Sequence, residues 1–325
     1  MLNKKLQIIT RCNPVSNFFF RPTNAMPLIL AKAFWALAAF INLCGYWYDR
    51  HQLFYQNSLV GWKEAPASSL FNAFDYVSTN THVDALLIVA LFSLCLFAFG
   101  IYSRLFGCVY YLILISCVQQ LGVCVSGWDY LQVNMLVVFL ISPSTPPLKI
   151  ELVNNRPKIS ATRQKIPTYP YVLLQWQFAI LFLSTTWFKV KSFAWRQGIE
   201  SGHFLMGGYS NIQTNKLMQL EWLNYSLTML TLAIELIIPF LLWRKETKVL
   251  GYFLLISLMA TLATSKVFIY PLTIFALSIA FLSQNDLDKI SQTKSKTFSQ
   301  NFKIFAYATI TGLASLFGIA RQTNR

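Results

Sequence analysis

Residues 223 to 243 read LNYSLTMLTLAIELIIPFLLW, and this stretch decides the fold class. Glu235 is its only charged residue, and a helix needs about 20 mainly apolar residues to cross roughly 30 Å of hydrocarbon. A charged side chain at that depth costs at least about 2.5 kcal/mol, so Glu235 must be protonated or paired. The stretch therefore predicts a membrane-spanning helix that carries a candidate functional acid.

Similar apolar stretches recur on both sides of this segment. We predict spans at Pro27 to Tyr48, Val83 to Tyr102, Leu105 to Val125, Tyr130 to Ser144, Tyr171 to Trp187, Leu223 to Trp243, Val249 to Thr264 and Val267 to Ser283. A further stretch, Ile304 to Ala320, follows a polar tether and either spans the membrane or lies along its surface. The expected fold is all-α: a polytopic integral membrane helix bundle with about eight or nine transmembrane helices and two longer outer loops.

The amino-acid composition also indicates that most of the chain lies in lipid. The 325 residues are 55% hydrophobic, 16% aromatic and only 12% charged, which water-soluble folds rarely show. The formal net charge of +15 would indicate nucleic-acid binding only if the basic residues formed a concentrated face on a soluble module. They are instead distributed between the predicted spans. We therefore expect the lipid bilayer as the partner, and no nucleic acid.

The placement of the 27 lysines and arginines predicts the topology. With a cytoplasmic amino terminus, 17 of them lie in inner segments and nine in outer segments, and Lys32 lies inside the first span. The positive-inside rule favours this arrangement. The first 26 residues include Lys4, Lys5, Arg11 and Arg21 and lack the pattern of a cleavable signal peptide. We expect a multi-pass protein of the cell inner (plasma) membrane.

Three parts are predicted along the chain. A basic cytoplasmic segment covers residues 1–26, the transmembrane bundle covers 27–283, and a basic tether with a possible extra helix covers 284–325. Within the bundle, Thr145 to Pro170 holds five prolines among five basic residues. That composition predicts an irregular inner connector.

Two predicted outer loops, Asp49 to His82 and Lys189 to Trp222, are rich in Trp, Tyr, Phe and Asn. Loops of this size usually carry function or cover an opening. His51, His82 and His203 lie in or beside them, but without the spacing of metal ligands. The six cysteines are scattered without zinc spacing, so no metal site is predicted.

Two candidate residues lie inside predicted spans. Lys32, in LILAKAFWAL, is near the inner end of the first span, where its side chain either snorkels along the helix or serves a site. Glu235, in LAIELIIPF, lies about two turns from either polar end of its span. It is either half of a structural ion pair or an acid that faces a ligand and handles protons.

Four more candidates lie near the ends of spans. Asp129 begins the fourth predicted helix, where it either caps the helix or serves a site. Lys189 and Lys191 follow the fifth helix in WFKVKSFAWRQG, where desolvation by aromatic rings favours a neutral lysine that can act as a base. The alternative is plain anchoring at the membrane interface by aromatics and cations. His203 follows in the same predicted loop, within reach of the same pocket.

Several short motifs occur in an order that resembles a known family. FFFRPTNAMPLILAKAF (18–34) is similar to an aromatic-x-x-Pro entry into a first helix with a basic residue, here Lys32. LFYQNSLVGW (53–62) and GIYSRLFG (100–107) are similar to the segments that follow, and SGWDYLQ (126–132) stands where Gly-Gly-Asp is expected. The chain thereby resembles the HTTM (horizontally transferred transmembrane) family, which includes the membrane domain of vitamin K-dependent gamma-carboxylase and is distantly related to DoxX-like proteins.

The same resemblance continues through QWQFAILFLSTTWFKVKSFAWRQG (175–198), where Lys189, Trp195 and Gly198 keep the family spacing. LTLAIELIIPFLLW (230–243) then matches a Glu-x-x-x-Pro helix with Glu235 and Pro239. In the carboxylase, a lysine of this region deprotonates vitamin K hydroquinone. The resemblance therefore implies Lys189, or Lys191 if the register slips by two, as a catalytic base.

Two functions from different classes follow as expectations. The first is a bacterial HTTM-like protein that handles a quinone or other lipid-soluble ligand for modification or redox chemistry at the outer face. For this function we expect Lys189, Glu235 and Asp129 as catalytic residues, and Trp195, Lys191, His203 and Lys32 as binding residues. The second is a non-enzymatic membrane factor for maturation or export of a small secreted peptide, as in the similar sporulation-delaying protein B family, acting alone or with a membrane partner protein.

Overall fold

The computed structural model describes residues 14–55, 58, 71–122, 125–145, 149–153, 156–160, 164–207, 219–263, 269–283 and 285–287. Its principal helices within these residues are α1 (Met26–Tyr48), α2 (Asn80–Ala98), α3 (Ser103–Leu121), α4 (Gly127–Ile141), α5 (Tyr169–Lys191), α6 (Glu221–Trp243), α7 (Lys248–Ala263) and α8 (Ile269–Ser278). Shorter helices lie at Pro14–Phe20, Arg50–Leu53, Phe193–Arg196 and Glu200–Met206, and 3-10 turns at Ala73–Tyr76 and Ile279–Phe281.

The all-α class is confirmed, and each of the eight predicted spans coincides with one of the principal helices. Their ends differ from prediction by at most five residues, the largest difference being the end of α8 at Ser278 instead of Ser283. Five helices, α1, α2, α3, α5 and α6, are long and apolar enough to cross a membrane. These helices indicate a membrane protein. The predicted stretch Ile304 to Ala320 lies outside the described residues.

The prediction of an irregular connector over Thr145 to Pro170 is wrong in part, because this stretch contains three short strands. Strands β2 (Lys149–Val153) and β3 (Arg156–Ser160) form an antiparallel hairpin. Strand β4 (Lys165–Pro167) pairs with β1 (Pro22–Asn24), which precedes α1. Prolines at strand ends and on two-stranded edges are compatible with this pairing, since an edge strand leaves some N–H groups unused. The proline-rich composition did not predict these strands.

The chain divides into two compact units. Unit 1 contains residues 1–175 and 272–282, and unit 2 contains residues 176–271 and 283–325. The core of unit 1 is centred on Trp35 of α1, whose side chain is fully buried. Its ring meets Phe97 of α2, Tyr110 of α3 and Phe139 of α4 edge-on, at centroid distances of 5.7, 6.1 and 5.5 Å. Its indole N–H donates to the backbone carbonyl of Gln132 on α4, 3.2 Å away.

One tight turn explains how α2 and α3 of unit 1 become antiparallel neighbours. The turn at residues 99–102 uses two residues with positive φ, Gly100 at 76° and Tyr102 at 40°. A left-handed residue reverses the chain at the end of a helix, and glycine adopts it without a steric cost. A Cβ on Gly107 of α3 would lie 2.7 Å from the Phe97 ring, so this glycine permits the close approach of the two helices.

Unit 2 is built around the α6–α7 hairpin. A Cβ on Gly251 of α7 would come within 3.2 Å of Leu241 and Leu242 of α6, so the small residue lets the helices pack closely. The Thr247 hydroxyl donates to the Leu241 carbonyl at 2.9 Å and closes the turn between them. Pro239 lies inside α6 and lacks an N–H, which deprives the carbonyl four residues earlier, that of Glu235, of its helical donor.

Candidate functional site

The candidate site of unit 2 is an ion pair between Lys189 and Glu235. Lys189 lies in the last turn of α5, Glu235 lies near the middle of α6, and the lysine Nζ donates to Glu235 Oε1. The Glu235 side chain is 8% exposed and the Lys189 side chain 25%. The expectation that Glu235 is paired is confirmed, and the pair has one buried member and one member that solvent or a ligand can reach.

Lys189 lies within α5, which corrects the prediction that both lysines follow this helix. The helix continues to Lys191, about one turn beyond the predicted end at Trp187. Lysines in a last turn interact favourably with the negative end of the helix dipole, so they extend the helix instead of ending it. The chain then breaks at Ser192 before the short helix Phe193–Arg196, and this break brings Trp195 back to Lys189. The Lys189 Nζ lies 4.5 Å from the centroid of the Trp195 ring.

The turn after Trp195 is fixed by glycine and by polar contacts to α6. Gly198 has φ of 70°, and a Cβ there would lie 2.8 Å from Tyr225 Cα. The Gly198 carbonyl accepts from the Thr228 hydroxyl at 3.1 Å, and the Gly202 N–H donates to Asn224 Oδ1 at 2.8 Å. Because Asn224 and Thr228 are one turn apart on α6, they hold the segment that carries Trp195 against the helix that carries Glu235.

Glu235 offers an unused acceptor. Its second carboxylate oxygen, Oε2, is buried and has no hydrogen-bond partner within the described part of the chain. A buried carboxylate oxygen without a donor costs about 1–3 kcal/mol or more, so such atoms usually have a partner, such as an unseen water or ligand. The site can therefore accept a hydrogen bond from a hydroxyl-bearing ligand next to Lys189.

Lys191 and His203 take other contacts. The Lys191 Nζ lies 4.5 Å from the Trp187 ring centroid, on its own helix, which is the arrangement expected of interfacial anchoring. His203 is in the short helix Glu200–Met206, with Nδ1 at 4.0 Å from Glu200 Oε2 and a side chain that is 48% exposed. The described contacts of these two residues do not include Lys189 or Glu235.

Asp129 belongs to unit 1, where it is only 2% exposed. Its Oδ1 accepts from the Tyr46 hydroxyl at 2.5 Å and from the Asn42 amide at 2.9 Å. Its Oδ2 accepts from the backbone N–H of Ser126 at 2.9 Å, which is the side-chain half of a capping box at the start of α4. The capping interpretation is confirmed, and α4 begins at Gly127, three residues before the predicted start.

Asn42 and Tyr46 are site residues that the sequence reasoning missed. They lie four residues apart on α1 and so share one helix face, and both are buried. The Asn42 amide also approaches Gln132 Oε1 at 3.3 Å. Two polar residues at i and i+4 in an apolar span were a usable signal, because buried polar groups in a helix of this kind must find partners.

Lys32 also belongs to unit 1 and contacts α2 and α3. Its Nζ donates to Ser103 Oγ at 2.7 Å and lies 3.9 Å from the centroid of the Phe97 ring. A second network that sequence reasoning missed joins the region after α1 to α2. There Asp84 accepts from Arg50 Nε at 2.8 Å and from the Tyr55 hydroxyl at 3.0 Å.

The two clusters differ in what they can do chemically. The pair in unit 2 combines a base, an acid and an aromatic ring, whereas Asp129 in unit 1 is surrounded by neutral donors. Among the described residues, no group of three or more His, Cys, Asp or Glu side chains is arranged to hold a metal ion. Comparisons of the chain with models of known protein families, with the curated proteins and with the solved structures gave no match.

Proposed function

We propose that the chain is an HTTM-like, multi-pass protein of the cell inner membrane that binds a lipid-soluble hydroxyl-bearing ligand, such as a quinol, and moves protons through Lys189 and Glu235. The proposal includes eight or nine spans and a cytoplasmic amino terminus. The main support for this proposal is the Lys189–Glu235 pair, in which Glu235 Oε2 has no described hydrogen-bond donor. The motif order described above adds the resemblance to the membrane domain of the carboxylase.

The pair is suited to proton transfer because a lysine and a carboxylate share one proton between them. When the shared proton lies on Glu235, the Lys189 amine is neutral and can accept the proton of an acidic ligand hydroxyl. The hydroxyl then becomes an oxyanion, Lys189 becomes an ammonium that pairs with it, and Glu235 stays a carboxylic acid.

Ligand orientation would come from two neighbours. Trp195 offers a ring face near Lys189, on which a flat aromatic ring can stack, and Glu235 Oε2 offers an acceptor for a hydroxyl on the same ring. The exposed fraction of Lys189 provides an approach to the lysine, and a ligand hydroxyl would reach the buried Glu235 Oε2 once the side chains of the pair move. These three features favour a flat, partly apolar ligand that carries at least one hydroxyl.

The test is purification of the full chain in mild detergent and mass spectrometry of the small molecules that copurify. We expect a stoichiometric quinone or isoprenoid compound with the wild type, and loss of that compound in Lys189→Ala and in Glu235→Gln. Lys245→Ala is the control, because this exposed lysine lies in the turn between α6 and α7 and is not among the expected site residues. Retention in both site variants, with full complementation of a deletion strain, would contradict the proposal.

A second candidate is a non-enzymatic membrane factor in maturation or export of a small secreted peptide. One observation favours it: the end of α5 and the residues after it expose Trp187, Phe188 and Phe193 at 60%, 70% and 67%. Exposed aromatic side chains are frequent anchors for peptide partners as well as for the membrane interface. A neighbouring gene for a short secreted peptide, with maturation that survives Lys189→Ala, would favour this candidate over the first.

A further inference from the structure

A small polar cavity lies in unit 1, at the end where α3 begins and α4 ends. Its polar lining consists of Lys32, Ser103, Arg104, Ser142, Ser144 and Thr145, and three apolar residues complete it. Its volume is about 20 Å³, which is room for about one water-sized group. Both charged groups in the lining are cations, so the cavity is electropositive.

Lys32 has N–H donors at this cavity that its described hydrogen bond leaves unused. An ammonium has three N–H donors, and Lys32 uses one of them on Ser103 Oγ. Since Ser103 acts as the acceptor there, its own hydroxyl proton remains available. Ser142 adds no free donor to the cavity, because its hydroxyl donates to the Val138 carbonyl at 2.6 Å.

Neither cation has a carboxylate partner among the side chains that the structure describes, which exclude those of residues 146–163. The ion pairs found there are Arg50–Asp84, Lys189–Glu235, His203–Glu200 and Lys248–Asp286. The Phe97 ring face supports the Lys32 ammonium but carries no formal charge. Two cations beside one cavity repel each other, and this repulsion is relieved when an anion binds between them.

The start of α3 adds a third positive contribution. Tyr102, the residue before the helix, makes no side-chain cap and has a left-handed φ of 40°. The first N–H groups of a helix have no partners within it, and the helix dipole makes this end positive. A 19-residue helix that starts at a cavity with two cations is well suited to bind an oxyanion.

We propose that this cavity binds the phosphate group of a phospholipid, with one phosphate oxygen inside it and the rest of the headgroup outside. The volume admits a single oxygen and does not enclose a whole phosphate ion, which favours a headgroup over free phosphate. Lys32 is six residues from the start of α1, or about 9 Å along the helix. A lysine at this depth reaches the headgroup region with its side chain.

The experiment measures the thermal unfolding midpoint of the delipidated full chain in mild detergent with four additions. These are phosphatidylglycerol, phosphatidylcholine, diacylglycerol with the same acyl chains, and inorganic phosphate. We expect both phospholipids to raise the midpoint of the wild type and diacylglycerol to leave it unchanged. Stabilisation by inorganic phosphate at low millimolar concentration would uphold the phosphate site but assign it to the free ion.

Two variants test the residues. Arg104→Gln removes an exposed cation, and Lys32→Gln removes a partly buried one. Each should weaken the apparent phospholipid affinity by about tenfold, the loss of one charge-assisted hydrogen bond. Lys32→Arg should retain most of the effect if Lys32→Gln does not fold. Lys245→Gln removes an exposed cation of the α6–α7 turn and is the matched control. It should retain the full phospholipid affinity of the wild type.

Equal stabilisation by diacylglycerol and by phospholipid would overturn the proposal, since the phosphate would then contribute nothing. An unchanged affinity in both Arg104→Gln and Lys32→Gln would also overturn it, and so would an unchanged affinity in Arg104→Gln alone if Lys32→Gln does not fold. Native mass spectrometry supplies an independent measure, as the number of phospholipids retained per chain. Because Lys189 and Glu235 are outside this cavity, their variants should keep the phospholipid, and the two proposals can fail separately.

Discussion

Asp129 of unit 1 and Glu235 of unit 2 are both buried carboxylates, 2% and 6% exposed, but their partners differ in charge. Asp129 accepts hydrogen bonds from a phenol, an amide and a backbone N–H, all neutral. Glu235 pairs with the Lys189 ammonium through one oxygen and leaves the other without a described partner. Both oxygens of the Asp129 carboxylate therefore have hydrogen-bond donors, whereas only one oxygen of the Glu235 carboxylate has one among the described residues.

The difference favours a structural role for Asp129 and, under the proposed function, a chemical role for Glu235. A carboxylate whose acceptors are all used is fixed in place, and it holds the start of α4 and the α1 face against each other. A carboxylate beside a lysine can share the proton of that lysine, and its unused oxygen can accept a new hydrogen bond. Substitutions should therefore affect mainly stability at Asp129 and mainly ligand binding at Glu235.

The largest expected effect is at Asp129. Asp129→Asn places an amide N–H₂ against donors that need an acceptor, so the free energy of unfolding should fall by about 2–4 kcal/mol. Denaturant titration in detergent micelles, followed by circular dichroism, measures this loss. The control Asp75→Asn makes the same chemical change at an exposed position and should alter the free energy by less than about 0.5 kcal/mol. Equal effects would break the comparison.

The second prediction concerns the ion pair. Lys189→Met leaves the Glu235 carboxylate buried without its cation, and we expect a loss of about 1–3 kcal/mol, less than for a fully buried pair because Lys189 is 25% exposed. The double variant with Glu235→Gln should regain part of the loss, because no unpaired charge remains. A double-mutant cycle on the same unfolding titration measures the coupling. Lys191→Met is the control, and a coupling energy near zero would contradict the prediction.

The third prediction tests the turn that carries Trp195. Gly198→Ala requires a left-handed alanine and places its Cβ against Tyr225, so we expect about 1–2 kcal/mol of destabilisation. Ligand retention should fall with it if Trp195 orients the ligand. Gly127→Ala is a matched control in unit 1, because its φ is not positive and its Cβ meets nothing within 4 Å. Similar losses in both variants would refute the packing argument.

The smallest effect is expected at a third, more exposed carboxylate, Asp286. Burial disfavours its charge, but hydrogen bonds from Ser283 and Lys248 outweigh burial and lower its pKa below the ordinary value of 3.8. A lowered pKa means that the unfolded chain binds the proton more tightly. The stabilisation is therefore complete above about pH 5 and is lost as the pH falls through the folded pKa.

The thermal midpoint of the wild type measured from pH 6 to pH 3 checks the effect at Asp286, against the Asp286→Asn variant. The two curves should approach each other at the acid end, and the difference at pH 6 should correspond to less than about 1 kcal/mol because the pair is partly exposed. Glu246→Gln, at an exposed position of the α6–α7 turn, is the control. Parallel curves for wild type and Asp286→Asn over the whole range would contradict the assignment.

Much of the fold could be predicted because helices in lipid must be long and apolar, and that constraint is visible in a linear sequence. The strands β1 to β4 were missed, since three to five residues among prolines carry no periodic signal. The pairing of β1 with β4 joins residues about 143 positions apart, and local composition contains no information on such a partner.

The site candidates were predicted with mixed precision. Glu235 was expected to be paired because a charge in an apolar span needs a partner, and Lys189 is that partner. The roles expected for Lys191, His203 and Lys32 as ligand-binding residues stay predictions. Asn42 and Tyr46 were overlooked, because polar residues compatible with a span do not indicate by themselves that they meet a carboxylate.

The sequence by itself determined the class of solvent, the positions of the principal helices and the residues whose charge requires a partner, because each follows from the cost of polarity in hydrocarbon. Only the tertiary structure decided which partner each charge has. Glu235 meets a cation 46 residues away, and Asp129 meets neutral donors 83 and 87 residues away. Those choices depend on which helix faces pack together, and that packing is a property of the whole unit, which no single segment encodes.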